Sequence, residues 1–158
     1  MEQSSELLGI DIVTNADASA VLGRAEGDEL VLLERLRRAG DDALAVDRVW
    51  LPAEVGRPLL EVDWSHTSLY EQLVAHGTGR PNQGWERVRA MTPSAADAHR
   101  LDLEGPEAVF CLERLGRVDG TAVEWRRSLV RADRFAVVTR FEGGRTEASL
   151  RLTSYSGD

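Results

Sequence analysis

The segment Leu33-Glu34-Arg35-Leu36-Arg37-Arg38 returns as Leu112-Glu113-Arg114-Leu115-Gly116-Arg117, an offset of 79 residues (33 to 112). Each copy follows a Glu-Gly pair, Glu26-Gly27 and then Glu104-Gly105, and each is preceded by an alanine-rich helical segment. Each is followed by a polar turn and a second strand-like run. A period this long lies outside the range of solenoid repeats, roughly 20–50 residues. The repeat therefore predicts two half-domains related by pseudo-symmetry.

The elements of each half follow from local chemistry. Residues 18–25 and 93–101 read as helices, the second opened by Thr92 as cap and Pro93 at the first helical position. Leu30–Arg38 and Glu107–Arg117 are rich in Val, Leu and Phe and read as strands. Gly40-Asp41 and Asp119-Gly120 are hairpin-turn pairs. The return strands are Ala43–Leu51, stopped by Pro52, and Ala122–Arg131. A last strand, Phe135–Phe141, puts Phe135, Val137 and Phe141 on one face. Between the halves, Ser68-Leu69-Tyr70-Glu71 has capping-box spacing, and Gly77 ends a helix over Thr67–His76 with Leu69, Leu73 and Val74 inward. The fold class is α+β, a mainly antiparallel sheet carrying short helices.

A chain of 158 residues, 42% hydrophobic, suits one domain with a real core. No apolar run approaches the roughly 18 residues that cross a bilayer, and Met1–Leu8 is no secretory signal. The single cysteine, Cys111, reads as a buried thiol in a reducing, cytoplasmic setting. With 27 acidic residues against 19 basic ones, all arginine, the net charge is −8. Proteins that grip nucleic acid neutralise phosphates with basic surface, so this acidic chain is not expected to bind DNA by itself.

In order along the chain, Glu34-Arg35-Leu36-Arg37, Trp50-Leu51-Pro52, Ser68-Leu69-Tyr70, Leu112-Glu113-Arg114, Asp119-Gly120 with Val123-Glu124, and Arg131-Ala132-Asp133-Arg134-Phe135 resemble the UTRA domain. UTRA is the effector-sensing module of the HutC branch of GntR transcription regulators. The resemblance implies a chorismate-lyase-like fold, a homodimer and a ligand pocket between the sheet and the central helix. The matching features place a UTRA domain over 9–142, after a segment 1–8 expected to be disordered. From Gly143 onward the residues are polar and small, with only Leu150 and Leu152 to bury, so 143–158 is expected to be a tail or loose edge strand. DNA contact in such regulators belongs to a winged helix-turn-helix, which nothing before Leu8 resembles.

Arg35 and Arg37 lie two apart on a strand and share a face, apolar at Val31 and Leu33 and cationic beyond. Paired guanidiniums suit a phosphate or carboxylate. The alternative is a solvated face neutralised by Glu34, Glu29 or an acid on a neighbouring strand. The resemblance favours the first, because in sugar-phosphate-sensing relatives the arginines at these positions hold the phosphate. Ser68 and Tyr70, at the start of the central helix, either join that site or serve as cap and packing. Glu124 either meets polar groups of the ligand or pairs with Arg126 or Arg48. The copies differ where Arg37 answers to Gly116, Ala45 to Glu124 and Asp47 to Arg126, a pattern expected of one asymmetric pocket and equally of drift.

Val130 stands where relatives often carry a tyrosine, which counts against an amino-sugar phosphate. Trp125 reads as core or dimer contact. His66, His76 and His99 have no metal-ligand spacing, Cys111 has no neighbouring histidine, and nucleotide and hydrolase motifs are missing. Neither a metal nor a cofactor is expected. The functional expectation is a sensor of a small anionic metabolite: a sugar phosphate, a carboxylate or a phosphonate. The rivals are a chorismate-lyase-like enzyme acting on a small carboxylate, with Glu124 as its acid, and a standalone binding module.

Overall fold

The computed structural model describes the backbone of residues 2–152 and the side chains of residues 2–147. Six strands form one antiparallel sheet: β1 (Gln3–Val13), β2 (Leu30–Ala39), β3 (Asp42–Pro52), β4 (Gln83–Met91), β5 (Val109–Val118) and β6 (Thr121–Arg131). Their spatial order is β1-β2-β3-β6-β5-β4. That order is its own mirror once the halves are exchanged, so the pseudo-symmetry axis passes between β3 and β6. Each half runs edge strand, helix, strand, turn, strand: β1 and α1 (Ala16–Leu22) precede β2 and β3, while β4 and α4 (Ala95–Arg100) precede β5 and β6. The two hairpin turns sit where Gly-Asp and Asp-Gly predict them. Gly40, Asp119 and Gly120 carry positive φ (57°, 49° and 87°), the geometry that two-residue hairpin loops need.

The inner strands read as nearly continuous apolar runs because both faces of the sheet are covered. On one face α1 places Ala18 and Leu22 against Leu30, Trp50, Leu115 and Trp125, with the two indoles stacked at 5.0 Å. Trp125 is thus core. On that same face Leu101, just after α4, packs with Val46, Val109, Cys111 and Leu129. The opposite face meets the segment between the halves: α2 (Ala53–Gly56), two short 3-10 turns at Arg57–Leu59 and Trp64–His66, and α3 (Leu69–Ala75). There Val55, Leu59, Trp64, Leu69 and Leu73 close over Val31, Leu33, Val49 and Leu51.

Several expectations need correction. Within the segment 1–8, expected to be disordered, residues 3–8 are strand: β1 starts at Gln3 and pairs with β2 from Gln3↔Ala39 to Val13↔Leu30, with a bulge between Leu7 and Gly9. Strand β4, which no apolar alternation announces, pairs along β5. Both are edge strands held chiefly by ladder hydrogen bonds, so their side chains need not alternate. The cap of α4 is Ser94, whose Oγ accepts from Asp97 N, and Pro93 lies just outside the helix. Val74 is 56% exposed rather than inward. Strand β7 (Phe135–Glu142) does not join the main sheet; it pairs with β8 (Arg145–Leu152) in a separate two-stranded hairpin. Phe135 packs on Phe110 at 5.3 Å, but Val137 and Phe141 are 51% and 83% exposed. Any burial of Leu150 and Leu152 concerns side chains outside the described residues.

Candidate functional site

The face under the inter-half segment is apolar only at one end. Beyond Leu33 and Val49 it carries a polar band: Arg35 and Arg37 from β2, Asp47 from β3, Ser128, Arg126 and Glu124 from β6, and Arg114 from β5. Register explains the band, since Arg35 faces Asp47, Asp47 faces Ser128, and Arg114 faces Arg126 across the ladder. Above it lies a pocket of about 870 Å³, walled by Arg35, Arg37, Asp47, Arg114 and Arg126 below and by Trp64–Glu71 and Arg80 above, with Glu2 and the first residues of β1, Gln3–Ser5, at its rim.

Of the five residues expected to form the site, four line this pocket: Arg35, Arg37, Ser68 and Tyr70. Arg35 is buried, and its guanidinium stacks on the Trp64 ring at 5.5 Å. Its Nε has no hydrogen-bond partner among the described residues, and neither does Trp64 Nε1. Burial pushes the Arg35 pKa down; Asp47 opposes this, while Arg126 and Arg37 add to it by repulsion. Arg37 sits nearer the rim, donating from Nη2 to Gln3 Oε1 at 3.3 Å, with Nε 3.9 Å from Asp47 Oδ2. Asp47 is the neighbouring-strand acid that sequence reasoning allowed for. Glu34 belongs to the other face, where it accepts from Arg48.

Ser68 caps α3 and lines the pocket at once. Its Oγ accepts from Glu71 N at 3.2 Å, and the Glu71 carboxylate accepts in turn from Ser68 N, closing the capping box. Tyr70 reaches down to the sheet and donates a short hydrogen bond to Glu124 Oε1. Burial and the Glu124 charge raise the phenol pKa, so the hydroxyl stays protonated. Glu124 itself does not line the pocket. It is fully buried behind Tyr70, with Arg126 Nη2 3.5 Å from Oε2 and Arg114 Nε 3.8 Å from Oε1. Its place exists because Gly116 opposite has no side chain: a Cβ there would stand 2.6 Å from Glu124 Oε1.

Sequence reasoning missed Arg114, Arg126, Asp47, Trp64 and Arg80 as pocket residues. The repeat carried a signal for three of them. Arg114 is the second-copy equivalent of Arg35, and Asp47 and Arg126 are equivalent positions that diverged in charge. All of these fall on one face beside the symmetry axis. Trp64 and Arg80 come from connections that have no counterpart in the repeat, so no such signal existed. Among the described residues no cluster of His, Cys, Asp and Glu could hold a metal, and no helix is long and apolar enough to cross a membrane.

A mostly antiparallel sheet with a few short helices is the fold this chain shares with effector domains of GntR-family regulators. The chain belongs to the UTRA domain family, whose profile matches residues 1–136. Its fold is similar to the effector domain of PhnF from Mycobacterium smegmatis, with a TM-score of 0.77 and 26% identity over 84% of this chain and 83% of that one. Against intact PhnF it spans 60% of the length. It is also similar in fold to the ligand-binding domain of a Bordetella bronchiseptica protein assigned to the GntR family of transcriptional regulators (TM-score 0.75, 21% identity, 84% and 86% covered). The C-terminal domain of the histidine utilization repressor from Pseudomonas syringae pv. tomato shares the fold at a TM-score of 0.81 and 15% identity, over 89% and 99% of the two chains. The chain is a UTRA domain resembling the effector domains of GntR-family regulators.

Proposed function

We propose that the pocket binds a small anionic metabolite and that its occupancy resets a GntR-type regulator of the HutC branch, working in the cytoplasm as a homodimer. Arg35 and Arg37 hold the anion, with Ser68 and Tyr70 contributing hydroxyls from the cover. DNA contact falls to a winged helix-turn-helix of the regulator. The observation that carries this reading is the buried Arg35 with an Nε that has no acceptor, beside a Trp64 Nε1 in the same condition. Buried donors are nearly always satisfied, so an open donor on a pocket wall is one that a ligand's acceptor can satisfy. An anion between them would supply that acceptor and oppose the repulsion from Arg37 and Arg126. Allosteric use of the site requires that the effector bind one arrangement of the dimer more tightly than the other.

The rival reading, elimination chemistry on a small carboxylate, needs an acid or base within reach of the substrate. Glu124 is enclosed by Tyr70, Arg114 and Arg126 rather than open to the pocket, which weighs against it. Sensing is tested by a thermal-shift screen of anionic metabolites followed by titration calorimetry. Arg37→Ala is expected to weaken binding by about 1.5–3 kcal/mol, the usual size of a charge-assisted hydrogen bond. Arg38, which pairs outside the pocket with Glu6 and the Asp41 carbonyl, serves as control, and Arg38→Ala should leave affinity unchanged. Equal losses in both variants would remove the site from this face. Light scattering that gives a monomer at tens of micromolar would remove the homodimer. Steady release of pyruvate from chorismate would replace sensor by enzyme.

A further inference from the structure

We propose that Arg126 is the second half of the anion site, so that the effector's charged group sits between Arg35 on β2 and Arg126 on β6 and carries two negative charges. This rests on the pocket being the effector site.

Three observations converge. The first is position: Arg35 pairs with Asp47, and Arg126 lies diagonally beyond it, paired with Val49, on the same face and in the same pocket. Two guanidiniums therefore flank one carboxylate from opposite sides. They are close enough that Arg126 contributes to depressing Arg35. The second is unused hydrogen-bonding capacity. Arg126 gives Glu124 one contact, at 3.5 Å, the outer limit of a hydrogen bond, and its buried Nε has no partner among the described residues. With Arg35 Nε and Trp64 Nε1, three buried donors on pocket residues stand without an acceptor. A compact anion has acceptor lone pairs to spare, and guanidinium forks match them.

The third is charge. The pocket lining brings five arginines, Arg35, Arg37, Arg80, Arg114 and Arg126, to three acids, Glu2, Asp47 and Glu71, with Glu124 buried behind it. Two positive charges are left over. Within the repeat, Arg126 occupies in the second half the place of Asp47 in the first. With two positive charges in excess on the lining, a phosphate monoester, a phosphonate or a pair of adjacent carboxylates matches it better than a single carboxylate.

Two probes with the same tetrahedral centre separate charge from shape: monomethyl phosphate, doubly charged at pH 8 since a phosphate's second pKa is about 6, and dimethyl phosphate, singly charged. Binding is followed by amide chemical shifts in titrations of the wild-type chain and of Arg35→Gln and Arg126→Gln. The wild type should prefer the monoester by about tenfold, the worth of one charge-assisted contact. Arg126→Gln should collapse that preference to within about threefold while keeping the diester affinity, and Arg35→Gln should lose both probes. An undiminished preference in Arg126→Gln overturns the inference and leaves the pocket standing. A wild type that binds neither probe, or an Arg35→Gln variant that binds both normally, overturns the pocket and the inference together. Should Arg126→Gln fail to fold with Glu124 left behind, the double variant Glu124→Gln/Arg126→Gln removes both charges, and the same ratio decides.

Discussion

Gly116 shows how far one residue reaches into the site. The first copy carries Arg37 at this position. In the second copy the missing side chain leaves room for Glu124 to lie fully buried against the strand. Glu124 then holds Tyr70 from above and Arg126 and Arg114 from the sides. Gly116→Ala should therefore cost about 1–3 kcal/mol in urea denaturation, the range for overpacking a filled interior. It should also weaken anion binding, because Tyr70 and Arg126 lose their common anchor. Stability and affinity both at wild-type values would mean that the Glu124 cluster tolerates displacement and does not organise the pocket.

At the scale of elements, α4 is tied to the sheet by one ion-pair network on the face opposite the pocket. Arg48 donates from Nη1 and Nη2 to the two oxygens of Asp97, at 2.9 and 2.8 Å, and from Nε to Glu34 at 2.9 Å. The Arg48 hydrogen bonds depress the Asp97 pKa in spite of burial. A carboxylate depressed in the folded state adds stability that is complete above its unfolded pKa, about 3.9, and is lost as pH falls through the lower folded value. Asp97→Asn should cost about 1–3 kcal/mol at pH 7, as for a hydrogen bond to a charged group. Below about pH 4 the gap between variant and wild type should narrow, and urea midpoints measured from pH 7 down to 2.5 would follow it. A gap independent of pH would mean that packing, not charge, docks α4. On the pocket side, Ser68→Ala removes the cap of α3 and should cost about 1 kcal/mol; a loss of affinity larger than that loss of stability would mark the hydroxyl as a ligand contact.

For the molecule as a whole, a ligand that binds only the folded state raises its melting temperature by mass action. At a concentration one hundred times Kd the gain is about 2.7 kcal/mol. For a domain of this size each kcal/mol moves the midpoint by roughly 2–4 °C, so a saturating effector should shift it by about 5–11 °C. Arg35→Ala should abolish the shift; a shift that survives would place the ligand elsewhere. The net charge of −8 makes a second expectation for the isolated chain: no salt-sensitive mobility shift with duplex DNA at physiological ionic strength.

Local chemistry and repetition were enough for the inner architecture. Apolar runs, Gly-Asp and Asp-Gly turns and the Ser68–Glu71 capping box are short-range signals, and each stands within a residue or two of its predicted place. The repeat also anticipated which positions would diverge, Arg37 with Gly116, Ala45 with Glu124 and Asp47 with Arg126. What it could not say is that these positions meet. Arg35 and Arg126 are brought together by the β3–β6 pairing at the symmetry axis, a contact between halves that no local pattern encodes. The edge strands β1 and β4 escaped notice because backbone hydrogen bonds to a neighbour hold them, and that neighbour exists only once the sheet has formed. The withdrawal of Glu124 from the pocket depends on a partner eight residues away in sequence but opposite on the adjacent strand. Side-chain identity sets which residues are charged; only the packed sheet decides which of those charges face one another in the buried band.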